Sequence, residues 1–187
     1  MQYIGSKNRL SKELTPIIQS YITEDTVGYL EPFVGGANMI DKIQHHNKIG
    51  CDIHKELIAL LNKVKDGMDS IPDGISEEEY IKVKDNKECY EDWYVGLVGF
   101  CGSYGAKYFG GYAKGNDTRN RQNEAIRNLK KQSPYLKDIE FINCSFSDIP
   151  KDKIKNHVIY CDPPYRDTTN IKQNIFHMKS FISGAEI

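Results

Sequence analysis

Val27-Gly28-Tyr29-Leu30-Glu31-Pro32-Phe33-Val34-Gly35-Gly36-Ala37-Asn38 is the most informative stretch of this chain. Val27 to Glu31 reads as a short buried strand that stops at Pro32, because proline cannot donate to a central ladder. Gly35-Gly36 then break the chain, and Asn38 to His46 reads as a helix starting there. Further out, Lys48 to Asp52 is a second strand, and Leu57, Leu60, Leu61 and Val64 mark the inner face of a second helix. Upstream, Leu10, Leu14, Ile17, Ile18 and Tyr21 recur at helical spacing. Downstream, Glu140 to Cys144 and His157 to Cys161 read as two more strands. Strand, glycine turn, helix, strand and helix in that order predict an α/β fold with a parallel sheet.

The middle of the chain has a different character. Between Asp66 and Asp92 there are ten acids against three lysines. From Cys101 to Lys131 the balance reverses, with seven Lys and Arg against Asp117 and Glu124. Five glycines in that stretch alternate with Tyr104, Tyr108, Phe109 and Tyr112, and Asn123 to Lys131 reads as a basic helix. Residues 66–132 are therefore expected to be an insertion in one discontinuous α/β domain made of 1–65 and 133–187. The net charge of −1 conceals that polarity and points to no particular partner by itself. A chain of 187 residues suits little more than one domain of about 150 residues. The longest apolar run, Leu57 to Leu61, is far too short to cross a membrane. Five cysteines without a C-x-x-C pair, and no leader-like opening, argue for reduced thiols in the cytoplasm, not a disulfide frame or zinc site. His45-His46 and His54 are expected on the surface.

Three motifs carry chemistry. The Gly35-Gly36 turn lets backbone approach a ligand closely and opens onto free N–H donors, although such turns are often purely structural. Asp52 ends the next strand, seventeen residues beyond Gly35, where an acid can accept both hydroxyls of a ribose. It could equally cap the helix that begins near His54. Asp162-Pro163-Pro164-Tyr165 follows the apolar strand Val158-Ile159-Tyr160-Cys161. Two prolines force a stiff extended turn at the carboxyl end of the sheet, the edge where ligands of open α/β sheets bind. An acid, a carbonyl and an aromatic ring held there suit a planar ring bearing an amino group. The plain alternative is a surface turn.

Glu31 to Asn38 together with Asp162 to Tyr165 resemble the Dam-type family (class I, α-group, D12) of DNA adenine-N6 methyltransferases. The order of the motifs fits as well, with the cofactor motif first, the recognition insertion next and the catalytic motif after it. Tyr3-Ile4-Gly5-Ser6-Lys7 is similar to a further cofactor motif of that family, and Cys144 to Asp148 to the segment bordering the cofactor's adenine, with Phe146 in the ring position. The resemblance implies a Rossmann-like methyltransferase sheet with a helical target-recognition insertion, and S-adenosylmethionine as cofactor without a metal. It places Tyr3, Lys7, Glu31, Phe33, Gly35, Gly36, Asp52, Phe146 and Asp162 at the cofactor, and Asp162, Pro163, Pro164 and Tyr165 at a flipped adenine. Double-stranded DNA is the implied partner, gripped by Lys107, Tyr108, Lys114, Arg119, Arg121 and Arg127. Phe146 as a buried core ring and the basic stretch as a solvated face are the bland alternatives.

Family members continue well past Asp-Pro-Pro-Tyr, and the resemblance implies an aromatic-rich helix where Phe176 to Ile187 has no apolar helical face. The expectation is a truncated chain with an incomplete sheet, its last dozen residues read from a shifted or prematurely ended frame. An open sheet edge would then favour self-association and weak stability. A fragment binding DNA or cofactor without turnover, and methylation of cytosine N4 or a protein amide, are the alternative functions.

Overall fold

The computed structural model describes residues 1–115 and 120–164. The expectations for Arg119, for Tyr165 and for the tail from Phe176 onward lie outside the described residues. Four strands form one parallel sheet in the order β3-β2-β1-β4: β1 (Gly28–Glu31), β2 (Lys48–Asp52), β3 (Ile139–Asn143) and β4 (His157–Ile159). β1 is buried along its whole length, as expected of a strand with neighbours on both sides and cover above and below. Leu30 pairs with Ile49 on one side and with Ile159 on the other. The chain therefore steps from β1 to β2 to β3 in one direction and then crosses back to the far side of β1. That reversal opens a crevice at the carboxyl ends of β1 and β4, where α/β sheets bind ligands.

The helices are α1 (Ser11–Ser20), α2 (Lys55–Asp66), α3 (Glu77–Asp85), α4 (Asp92–Cys101) and α5 (Arg121–Gln132). α2 buries Leu57, Ile58, Leu60, Leu61 and Val64, the stripe its sequence spacing predicts. α4 is apolar almost all round and lies between α2 and the rest of the middle segment, burying Val95 to Cys101. Contact with α2 is so close that a Cβ on Gly96 would sit 2.1 Å from the Glu56 carbonyl oxygen. α3 is capped by the Ser76 hydroxyl, which accepts from the Glu79 N–H, and α5 by the Asn120 side chain, which accepts from the Asn123 N–H. One hydrophobic cluster runs without a break from Tyr29 and Leu57 through Tyr80, Val95 and Leu97 to Ile126 and Leu129. No helix among the described residues is long and apolar enough to cross a membrane.

Two local expectations are corrected. Asn38 to His46 is not a helix; turns and a short 3-10 segment, Ile40–Lys42, replace it. Ala37 takes a left-handed backbone (φ 56°), and Met39, Ile40 and Ile43 are buried in the cluster, so core packing overrides helical spacing. The apolar spacing of the first helix is real, yet of its apolar residues α1 turns only Ile18 fully inward, and Leu10, Ile17 and Tyr21 are exposed.

Ala in place of Gly gains up to about 1 kcal/mol of helix propensity at an open helical site. At Gly96 the carbonyl contact reverses that sign. Gly96→Ala is expected to lower unfolding stability by about 1–3 kcal/mol, read as a lower urea midpoint at unchanged m-value.

Candidate active site

The site is assembled at the crevice from four short segments. β1 delivers Glu31, after which Pro32 and Phe33 turn the chain and the Val34 N–H bonds the Cys51 carbonyl, tying the glycine turn to β2. Gly35 has a φ of 50°, and its N–H donates to Asp52 Oδ2 at 3.1 Å. The other Asp52 oxygen accepts from the His54 N–H at 3.0 Å. Asp52 therefore braces the turn on one side and the chain leading into α2 on the other; the helix cap residue itself is His54. The Ile53 N–H adds a third backbone donor, and a carboxylate with about four acceptor sites keeps capacity for one more. Burial raises the Asp52 carboxyl above its ordinary range, and the backbone bonds from His54 and Gly35 oppose that.

The N-terminal arm lies against this turn. The Tyr3 ring is packed so tightly on Gly35 that a Cβ there would meet it at 2.8 Å, and a Cβ on Gly36 would meet Tyr3 Cβ at 2.7 Å. Small residues are needed at both positions for the arm to dock. The Met1 amino group, almost fully buried, donates to the Gly36 carbonyl at 3.4 Å, to Asn38 Oδ1 at 3.0 Å and to Gln132 Oε1. Gln132 in turn donates to the Gly36 and Ala37 carbonyls and to Asp41. Burial pulls the Met1 amine down to about 6.

Lys7 closes the crevice. Its Nζ donates to both oxygens of Asp162, at 2.6 and 2.5 Å, and to the Gly5 carbonyl at 3.3 Å. Both partners are partly buried, which makes this a stronger tether than a surface ion pair. Beyond the carboxyl ends of β1 and β3, the Phe33 and Phe146 rings lie 5.3 Å apart at a 40° tilt.

Glu31 is 3% exposed and accepts the Tyr29 hydroxyl at 2.8 Å. Burial pushes its carboxyl up to about 8; the Tyr29 bond opposes this, and the Asp41 and Asp162 carboxylates add to it.

Every sequence-predicted cofactor residue (Tyr3, Lys7, Glu31, Phe33, Gly35, Gly36, Asp52, Phe146 and Asp162) thus lies on the arm or at this sheet edge. Pro163 is half-buried and Pro164 exposed beside Asp162. The predicted DNA residues are more scattered. Lys107 and Arg127 are exposed. Lys114 pairs with Glu77 at 3.2 Å, and the Arg121 guanidinium stacks over Tyr104. Tyr108 is half-buried, packed edge-on to His54 with ring centroids 4.4 Å apart and against Phe100 at 5.1 Å. His54, expected on the surface, is half-buried and lies 3.2 Å from Glu56 Oε2. Sequence reasoning missed Asn38 and Gln132, the side chains that hold the arm under the turn. Only the amide character of these two residues could have hinted at it.

Glu31 sets a pH dependence. Its carboxyl moves from 4.5 to about 8 on folding, so the folded state holds the extra proton between those values. The stability it contributes is full below the unfolded value and is lost as pH rises through the folded one. Unfolding free energy should therefore decline from pH 5 to pH 8 in the wild type, and Glu31→Gln should flatten that part of the profile in urea titrations.

The D12 class N6 adenine-specific DNA methyltransferase family matches residues 3–186 of this chain. Among curated proteins, the type II methyltransferase M.FokI of Planomicrobium okeanokoites is 23% identical over 194 aligned positions. That alignment takes in 90% of this chain and 29% of the relative, so the chain spans less than a third of the length of that protein. With a parallel sheet reversing at β1, a glycine turn braced by an acid on β2, and an Asp-Pro-Pro elbow on β4, the chain belongs to the D12 class N6 adenine-specific DNA methyltransferases.

Proposed function

We propose that this protein transfers the methyl group of S-adenosylmethionine to N6 of an adenine flipped out of duplex DNA. The single observation that carries the reading is the Lys7–Asp162 bridge, which joins the cofactor-type arm to the proline-locked elbow beside the glycine turn. The residues present fit the cofactor. Asp52 keeps acceptor capacity for a ribose hydroxyl, Phe33 and Phe146 form an aromatic pair for an adenine face, and Glu31 is a buried carboxyl that a cationic group would draw back into its charged form. When bound, the cofactor supplies an activated methyl on sulfur, so the chain need provide neither metal nor covalent nucleophile.

What remains for the protein is positioning and charge. Asp162 would accept one N6–H of the target and the Pro163 carbonyl the other, drawing the nitrogen lone pair out of conjugation with the ring. The Lys7 ion pair fixes the orientation of the Asp162 carboxylate at the mouth of the turn. Tyr165 would stack on the extruded base, whose unstacking costs a few kcal/mol. We assign residues 66–132 the role of target-recognition insertion, with Lys107, Tyr108, Lys114, Arg119, Arg121 and Arg127 along the DNA. Lys114 and Lys130 already answer Glu77 and Asp73 across α3 and α5, which narrows the basic surface open to phosphates.

Tritiated methyl transfer to unmethylated duplex DNA tests the proposal. Incorporation should appear as N6-methyladenine in digested product and fall at least a hundredfold in Asp162→Ala, the scale on which a charge-stabilising group acts. Absence of wild-type incorporation, or N4-methylcytosine as the product, overturns it. We also infer self-association through β4, the strand at one edge of the described sheet, next to the exposed Val27. Sedimentation should then show a concentration-dependent dimer, and a monomer at every concentration rejects it.

A further inference from the structure

A second recess lies away from the crevice, at the start of α5. It has a volume of about 180 Å³ and is lined by Gln2, Ser103, Tyr104, Arg121 and Glu124 among others. The Tyr104 ring is 63% exposed, and the Arg121 guanidinium carbon sits 5.3 Å from its centroid. Among the described residues Arg121 has neither an ion pair nor a hydrogen bond, unlike Lys114 and Lys130. Stacking occupies the face of the guanidinium and leaves the N–H fork at its edge available. We infer that this recess reads one guanine·cytosine pair of the target DNA, with Arg121 donating to the guanine and Glu124 accepting from the cytosine.

The surroundings are built to hold that geometry. The Ser103 hydroxyl donates to the Gly99 carbonyl at 2.6 Å and lies 3.0 Å from the Tyr80 hydroxyl, which also receives the Gly111 N–H. The Tyr104 N–H bonds the Gly111 carbonyl, and Ser103 pairs with Tyr112 in an antiparallel bridge. Ala106 and Phe109 are held at φ 55° and 46°, a strained backbone that persists where its surroundings over-determine it. Arg121 is the first residue of α5, and Gln122, Ala125 and Ile126 anchor that turn in the core. The ring and the guanidinium are therefore presented on fixed supports.

The donor set selects the ligand. A planar fork matches the paired O6 and N7 acceptors of guanine in the major groove, and a carboxylate matches the N4 amino group of cytosine. Phosphate would satisfy the fork as well, but a phosphodiester carries no donor for the Glu124 carboxylate that lines the same recess. Helices that read DNA commonly do so with their N-terminal residues in the major groove. This inference rests on DNA being the substrate, and its test is kept apart from catalysis.

Wild-type protein, Arg121→Lys, Tyr104→Phe and Tyr104→Leu would each select from a pool of short duplexes randomised around a central adenine. Thermal melts confirm that the variants fold. Wild type should enrich one guanine at a fixed distance from the adenine, and Arg121→Lys should lose roughly ten- to hundredfold of that preference while keeping the others. Tyr104→Leu should follow Arg121→Lys, and Tyr104→Phe should resemble wild type. Uniform weakening on every sequence with a shallower salt slope marks a phosphate contact and overturns the inference. So does an unchanged preference in Arg121→Lys, or a wild type that enriches nothing. Methyl transfer measured separately on the selected duplex decides the enzymatic reading, since its failure there leaves the base-reading result standing.

Discussion

The Tyr160 N–H bonds the Leu30 carbonyl at 3.0 Å, and the architecture of the crevice depends on that side-by-side pairing of β4 with β1. Had β4 added beyond β3 instead, two strands would separate Asp162 from Glu31 and the glycine turn. Because it returns to β1, the two prolines aim the elbow across the mouth of the turn, and Lys7 can reach it from the N-terminal arm. The arm itself is held by the fit between the Tyr3 ring and two residues that lack a Cβ. Topology brings the segments together, and the missing side-chain atoms at Gly35 and Gly36 let them touch.

Opposite charge does related work in the middle of the chain. The acidic stretch forms α3 and its flanks, the basic stretch forms α5 and the loop before it, and the two pack on one another through Lys130–Asp73 and Lys114–Glu77. Both pairs are exposed and screened by solvent, so the apolar cluster under them carries the stability. Their effect is selective, since among the described residues they engage Lys114 and Lys130 and leave Arg121 without a carboxylate partner.

Much of this was legible in the sequence where a single local rule applies. Pro32 ended β1, the spacing of Leu57, Leu60, Leu61 and Val64 gave the buried face of α2, and Asp-Pro-Pro marked the carboxyl end of β4. The cofactor-type residues followed from motif resemblance, and they lie together at one sheet edge. What local rules could not show was competition for the same residues. Asn38 stands at an apparent helix start, yet its amide is used by Met1, and the backbone before it is left-handed. Leu10, Ile17 and Tyr21 recur at helical spacing with Ile18, but periodicity reports that a face exists and not that something covers it. His54 looked like an ordinary polar residue because its partners, Phe100 and Tyr108, lie dozens of positions downstream.

The strand order also governs how the molecule is made. β1 and β2 leave the ribosome early, but the strands that flank them, β3 and β4, follow all five helices and are the last two strands of the described chain. Until these arrive, the two inner strands have bare outer edges, and the helices of the middle segment must wait on a platform that is half built. Parallel pairing over such separations closes large loops before it is rewarded, which slows the final step and lengthens exposure to other nascent chains. A cell producing this protein therefore has reason to shelter it with chaperones through the synthesis of its middle segment, until β4 slides in beside β1.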